Sequence, residues 1–178
     1  MLSNIAIFTV YGGIIMISNT INEILNEQIN KEVYSGYLYL SMSAHLKELG
    51  LNGFASWTRL QAKEEVEHGL KIFDYIITND NFVTLKQIRT PEFEFQGISS
   101  IFNRILEHEQ CITRAVMNIA QKAEEENDRT TLNFIEWFIA EQNEEEEAVK
   151  NIIKRLEVFG DDKVALYLMD KELGERLE

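Results

Sequence analysis

One short segment, residues 60–73 (LQAKEEVEHGLKIF), brings three glutamates and one histidine into a stretch whose apolar residues have helical spacing. Acidic residues on a solvated helix face are common. Glu65 and His68, however, lie three residues apart and continue an apolar stripe that includes Trp57 and Ile72. Since residues three, four and seven apart share one helix face, both side chains are expected to point into the protein. An inward carboxylate beside an inward imidazole is a candidate pair of metal ligands.

Three further segments carry polar side chains where the helical spacing predicts apolar ones. Glu32 lies seven residues after Leu25 and seven before Tyr39, and the other two segments contribute Glu109 and the pair Gln142 and Glu145. A single inward glutamate could hydrogen-bond locally. Four carboxylates on four helices cannot all stay ionised without compensation, because desolvation and like-charge repulsion both oppose it. Two divalent or trivalent metal ions would supply that compensation, and oxygen donors with one imidazole favour iron or manganese over zinc.

Four long helices and a short fifth helix are predicted to position these side chains. Each long helix has an apolar stripe with a period of three to four residues, and turn or capping residues separate the helices. The predicted helices cover about 19–48 (with a capping box at Thr20 and Glu23), 52–80 (capped by Asn52), 99–124 (opened by Ser99 or Ser100), 130–159 (ended by Gly160) and 161–173.

The connection between the second and third helices sets the predicted topology. It spans about residues 81–98 and contains the only proline, Pro91. About 18 residues extend to ~59 Å at ~3.3 Å per residue, and a helix of about 29 residues is ~43 Å long. The connection can therefore run the length of the bundle, which leaves the second and third helices parallel. The sequence predicts an all-α four-helix bundle with a long crossover and a short C-terminal helix.

Composition limits the partners and the compartment. The 178 residues include 30 acidic and 17 basic side chains, for a formal net charge of −13, which disfavours nucleic acid and suits cations. The single cysteine, Cys111, cannot form an internal disulfide, which indicates a reducing, cytoplasmic environment.

The N-terminal segment is apolar at residues 5–17 but too short to span a membrane, and it lacks the basic region of a signal peptide. Residues 1–17 are therefore interpreted as an extension, and 18–178 as one domain. Either the extension is a strand-like or loose segment, or the natural start is Met16 and the preceding residues are a leader. The second interpretation is favoured.

The chain resembles the non-haem ferritins of the bacterial and archaeal type, a ferritin-like di-iron family, over nearly its whole length, about residues 21–177. The segments that carry the resemblance are NEQINKEVYSGYLYLSMS, QAKEEVEH, HEQCITR, FIEWFIAEQNEEEE and LYLMDKEL. Bundles of this kind often contain two Glu-x-x-His motifs. Here the second motif is replaced by Gln142-x-x-Glu145, which removes one imidazole and predicts a more weakly held second iron.

The resemblance implies a role for each matching residue. It implies a first iron at Glu32, Glu65, His68 and Glu109, a second iron at Glu65, Glu109, Gln142 and Glu145, and a third iron site at Glu64, Glu141 and Glu144. Tyr39 matches a tyrosine beside the centre, although a packing role is also open. His45 and His108 are expected to be surface or packing residues, and Cys111 is expected to be a packing residue rather than a ligand.

The function implied by the resemblance is iron storage coupled to ferroxidase activity. Fe(II) would be oxidised by O2 or H2O2 and stored as a mineral inside a homo-oligomeric shell of 24 subunits. Hard anionic oxygen ligands favour Fe(III) over Fe(II), so the carboxylates suit that reaction.

Four alternatives are weaker. A haem-binding bacterioferritin would carry methionine where this chain has Val66, so no haem is expected. A rubrerythrin-like peroxide reductase needs CxxC pairs, which one cysteine excludes. The acidic charge and the fifth helix disfavour a DNA-protecting mini-ferritin. The inward acids argue against a purely structural bundle.

Overall fold

The computed structural model describes residues 17–159 and 162–175, and these residues form five helices and no strand. The helices are α1 (Asn19–Glu48), α2 (Asn52–Thr78), α3 (Ile98–Glu125), α4 (Arg129–Phe159) and α5 (Lys163–Gly174). The predicted fold class is confirmed, and the helix ends differ from the predicted ones by two residues or fewer. The predicted extension lies outside the described residues except for Ile17, which is buried. The predicted stop at Gly160 also lies outside them.

Two predicted helix caps are wrong. At the start of α1 the cap is Ser18, whose Oγ accepts a hydrogen bond from the Ile21 backbone nitrogen at 3.1 Å, so the capping box at Thr20 does not form. At the start of α2, Asn52 is the first helical residue, and the capping position is Leu51, which has no side-chain oxygen. The donors at that end are satisfied by a distant residue of α5.

The connection between α2 and α3, residues 79–97, is called the crossover. It runs along α1 in the same direction as that helix, because successive α1 side chains contact successive crossover residues. Asn26 Nδ2 donates to the Phe82 carbonyl at 3.1 Å, and Ser41 Oγ donates to the Glu92 carbonyl at 2.6 Å. The crossover thus carries the chain from one end of the bundle to the other, and α2 and α3 are parallel, as predicted.

The hydrophobic core is divided into two clusters along the bundle axis. One cluster contains Met42, Leu46, Phe54, Phe102 and Ile152 among others, and the second contains Leu25, Ile72, Ile76, Val116 and Phe138 among others. On each of the four long helices, the candidate metal ligands fall between the residues of one cluster and those of the other. The fold therefore holds a polar layer in the middle of an apolar bundle. Within the described residues, no helix is long and apolar enough to cross a membrane.

Helix α5 is attached to the bundle by an unusual cap. Asp170 Oδ1 accepts hydrogen bonds from the backbone nitrogens of Gly53 at 2.7 Å and Phe54 at 3.0 Å, so a carboxylate of α5 caps the N-terminus of α2. The two backbones are very close here: a Cβ atom on Gly53 would lie 1.5 Å from the Asp170 carbonyl oxygen. Glycine is required at position 53 because no side chain fits between the helices.

We expect Gly53→Ala to destabilise the docked α5 by about 1–3 kcal/mol, since the backbones must separate and the Asp170 cap is lost. The measurement is the thermal unfolding midpoint together with limited proteolysis of the C-terminal segment. Gly69→Ala in the same helix is the control, because its added Cβ would lie 3.2 Å from the Val33 Cγ2 atom and needs a shift of only a few tenths of an ångström, whereas at Gly53 the obstacle is backbone. Equal behaviour of the two variants would contradict the proposed role of Gly53.

Candidate metal centre

The structure brings the predicted ligands of four helices into one layer, called the polar layer. Its three most deeply buried acids are Glu32 from α1, Glu65 from α2 and Glu109 from α3, which are 1%, 1% and 0% exposed. The complete polar layer consists of Glu32, Glu65, His68, Glu109, Gln142 and Glu145. The helical spacing correctly predicted that these side chains point inward and lie close together.

Two groups of donor atoms stand out within the polar layer. Glu32, Glu65 and His68 each offer a ligand atom within 4.8 Å of the others, and Glu65, Glu109 and Glu145 do the same. Glu65 belongs to both groups. The resemblance implies Glu109 as a ligand of both irons, and in the described structure its donor atom lies within this distance of those of the second group.

Hydrogen bonds hold several of these carboxylates in place. The Tyr39 hydroxyl donates to Glu109 Oε1 at 2.5 Å, and Gln142 Nε2 donates to Glu109 Oε2 at 3.2 Å and to Glu145 Oε2. Gln28 Nε2 donates to Glu32 Oε1 at 2.8 Å. Gln28 is fully buried and was not among the site residues predicted from the sequence, although it lies one helical turn before Glu32.

Two further carboxylate oxygens of the polar layer have no protein donor in the structure described. Among the described residues, Glu32 Oε2 and Glu65 Oε1 are buried and have no hydrogen-bond partner. Buried polar atoms are normally paired, so each unpaired carboxylate oxygen indicates a missing partner. A cation between the helices is the partner that suits several acids at once.

Burial changes the protonation of the polar layer. Loss of solvent, opposed by the Gln28 hydrogen bond, raises the pKa of Glu32 to about 7, and loss of solvent together with the charge of Glu109 raises the pKa of Glu145 to about 9. The same two causes raise the pKa of Glu65 well above its ordinary value. Burial, with a smaller effect of Lys71, lowers the pKa of His68 to about 4, so its imidazole is neutral at pH 7 and able to bind a metal.

A cavity of about 890 Å³ leads from the polar layer towards the surface. His68 and Glu145 line its inner part, and the cavity also contains the three residues of the predicted third site, Glu64, Glu141 and Glu144. Burial, followed by the charges of Glu144 and Glu64, raises the pKa of Glu141. The three acids are thus near neighbours. In the described part of the chain, however, they do not form a group whose ligand atoms all lie within 4.8 Å of one another.

The other histidines and the cysteine lie outside the layer. His45 packs edge-on against Phe95, and the His108 ring is buried with Nε2 2.7 Å from Ser35 Oγ, as expected for packing residues. The expected packing role of Cys111 is wrong, because its side chain is exposed and its sulfur accepts a hydrogen bond from Arg114.

Comparison with known proteins identifies the family. A model of the family described as Ferritin-like domain matches residues 22–159, which include nearly all of the four long helices. The chain belongs to this family. This ferritin-family chain is 35% identical over 156 residues to a bacterial non-heme ferritin of Campylobacter jejuni, with 88% of this chain and 93% of the relative covered. It is 37% identical over 161 residues to a bacterial non-heme ferritin of Staphylococcus aureus, with 90% and 97% covered.

A solved structure agrees with these relatives. The open pore ferritin from the hyperthermophilic archaeon Archaeoglobus fulgidus superimposes with a TM-score of 0.89 at 40% sequence identity, covering 90% of this chain and 98% of that one. The resemblance to bacterial and archaeal ferritins found in the sequence is confirmed.

The acids of this ferritin-family chain predict how its metal-free stability depends on pH. A carboxyl whose folded pKa is raised adds stability below its unfolded pKa, and that stability is lost as pH rises through the folded pKa. For Glu145 the pH window over which this stability is lost runs from about pH 4.5 to about pH 9. We expect Glu145→Gln to become more stable than the unsubstituted protein as pH rises through this window, by about 1–3 kcal/mol at its upper end.

Thermal unfolding of the metal-free proteins at a series of pH values measures this difference. Glu136→Gln is the matched control, because Glu136 is an exposed residue of the same helix. At the upper end of the window the gain in stability of Glu145→Gln should exceed any change in this control. A Glu145→Gln protein that loses stability relative to the unsubstituted protein as pH rises would contradict the sign of the pKa shift.

Proposed function

We propose that this chain oxidises Fe(II) in the polar layer and forms part of a protein that stores iron. The observation that carries the proposal is the pair of donor groups that share Glu65, in a layer where buried carboxylate oxygens lack protein partners. Similarity to bacterial non-heme ferritins at 35–38% identity supports iron storage as the wider function.

Two Fe(II) ions are the proposed substrates of the polar layer. One is bound by Glu32, Glu65 and His68, and the other by Glu65, Glu109 and Glu145, with Glu65 between them. Each Fe(II) gives up one electron, and O2 or H2O2 accepts the pair of electrons. Anionic oxygen ligands favour the product Fe(III), and the two positive ions remove the repulsion among the acids.

Gln142 and Tyr39 have proposed roles that follow from their hydrogen bonds. Gln142 directs its amide nitrogen at Glu109 and Glu145. Its Oε1 lies 3.4 Å from the Thr113 hydroxyl, which makes its shortest hydrogen bond to Glu146 Oε1 at 2.7 Å. Direct binding of an iron by the amide oxygen therefore requires rotation of the amide. Tyr39 orients Glu109 through its hydroxyl, which goes beyond the core-filling role also considered from the sequence.

Glu64, Glu141 and Glu144 are proposed to bind a third iron on the way to or from the pair. They line the cavity that leads to His68 and Glu145, and an acidic cavity wall attracts cations. Oxidised iron would then leave for a mineral inside a shell of 24 identical subunits in the cytoplasm. Native mass spectrometry counts those subunits, and a dodecamer would contradict the proposed shell.

The competing proposal is a purely structural role, in which the helix bundle uses its buried acids only for stability. The two possibilities differ in their response to Fe(II) and O2, because a scaffold consumes no oxygen.

We expect Glu65→Gln to lower the initial rate of Fe(II) oxidation by at least about 100-fold while the shell still assembles. Glu65 belongs to both donor groups, and loss of residues that merely support a ligand already costs about 10–100-fold. Stopped-flow absorbance after Fe(II) and O2 are mixed gives the rate. Glu136→Gln, on an exposed face, should oxidise iron normally. A normal initial rate in Glu65→Gln would exclude the proposed site.

Glu144→Ala should keep the fast initial oxidation of two Fe(II) per subunit but change the number of Fe(II) oxidised per O2 consumed. The reason is that Glu144 lies in the cavity and in neither donor group. An oxygen electrode, with iron added in steps, measures this ratio. Glu147→Ala is the control because Glu147 is an exposed residue of the same helix that is not among the residues lining that cavity. An unchanged ratio in Glu144→Ala would remove Glu144 from the proposed third site.

A further inference from the structure

A groove between α1, the crossover and α3 differs in charge from the rest of the protein. Its volume is about 690 Å³, and in the described part of the chain four of its lining residues are cationic and none is acidic. The cations are Lys31, Arg89, Arg104 and Arg114. The chain has nearly twice as many acidic as basic side chains, so a groove wall without a carboxylate departs from its composition.

Arg89 of the crossover is exposed, and its guanidinium carbon lies 4.1 Å from the centre of the Tyr34 ring. This cation–π contact holds the guanidinium over the ring and leaves its N–H donors able to bind an acceptor. Among the described residues, Arg89 has no carboxylate within the 4.0 Å of an ion pair. Its charge is therefore held in place without being neutralised by contact.

The two arginines of α3 present further donors. Arg104 donates through Nε and Nη2 to Glu92 Oε1, at 3.0 and 2.8 Å, and this pair fixes the arginine beside the groove. Arg114 Nη2 donates to the Cys111 sulfur at 3.0 Å, and a thiol is a weak acceptor that carries no compensating charge. Glu92 thus offsets one cation, and Lys31, Arg89 and Arg114 remain unpaired by contact in the described structure.

We propose that this groove binds a small anion with two or more phosphate groups. Planar guanidinium groups are suited to the paired oxygens of a phosphate, which accept two parallel hydrogen bonds. Cationic side chains from three separate segments surround a volume in the range of small-molecule pockets, which exceeds the size of a single phosphate. No lining residue of the groove belongs to the two donor groups of the polar layer, so the inference does not depend on the iron chemistry.

Isothermal titration calorimetry of the metal-free, full-length assembled protein with sodium pyrophosphate tests the proposal. We expect Arg89→Gln and Arg114→Gln each to weaken binding about tenfold or more, because each removes a charge-assisted hydrogen bond. Both side chains are exposed in the single chain, so both variants should keep its helical content, and native mass spectrometry checks the particle size. Arg129→Gln is the control: Arg129 is an exposed residue outside the groove, and the charge change is the same.

Three comparisons decide the class of ligand. Arg89→Lys keeps the positive charge but lacks the planar guanidinium group. Its affinity for pyrophosphate should therefore lie between those of the unsubstituted protein and Arg89→Gln. Orthophosphate should bind more weakly than pyrophosphate, and added sodium chloride should weaken both. Citrate binding as tight as pyrophosphate would overturn the preference for phosphate. Absence of pyrophosphate binding, or an equal loss in Arg129→Gln, would overturn the site itself.

Discussion

The main constraint on this structure is the cost of placing several carboxylates in the middle of a hydrophobic bundle. Ionised acids lose their hydration in such a place and repel one another, so the fold tolerates them only when something else supplies positive charge or protons. The polar layer divides the core into two apolar clusters, and each cluster contains residues from all four long helices. The apolar packing on both sides fixes the helix backbones, and this rigidity keeps the acids together despite their repulsion.

Hydrogen bonds from the protein satisfy only some of the carboxylate oxygens in the polar layer. Gln28, Tyr39 and Gln142 satisfy selected oxygens of Glu32, Glu109 and Glu145 and so set their orientation. Glu65, which belongs to both donor groups, has a buried oxygen without a partner in the described structure. A protein that needed these acids only for stability would satisfy all of them or replace them with apolar groups. The incomplete network therefore fits a layer whose missing partners come from solution.

Much of this arrangement could be predicted from the sequence because it depends on local spacing. The period of the apolar residues predicted the helices, and the glutamates within that period were predicted to point inward, as they do. Features that join distant residues could not be predicted: Asp170 caps α2 from 117 positions away, and the cationic groove combines three segments. The predicted capping box at Thr20 also failed, because the backbone path makes Ser18 the cap and places Thr20 inside the helix. The grouping of Glu109 with Glu65 and Glu145 depends on how the helices pack, which cannot be predicted from one sequence.

The two donor groups also differ in the order in which folding can assemble them. The first donor group comes entirely from the α1–α2 hairpin, namely from Glu32, Glu65 and His68. The two helices of this hairpin are joined by a short turn at residues 49–51. The group of Glu65, Glu109 and Glu145 combines that hairpin with α3 and α4, across the crossover. Contacts close in sequence lose little chain entropy and form early, whereas contacts across a long loop form late. One half of the centre is thus a property of a local hairpin, and the other half exists only after the two hairpins have docked.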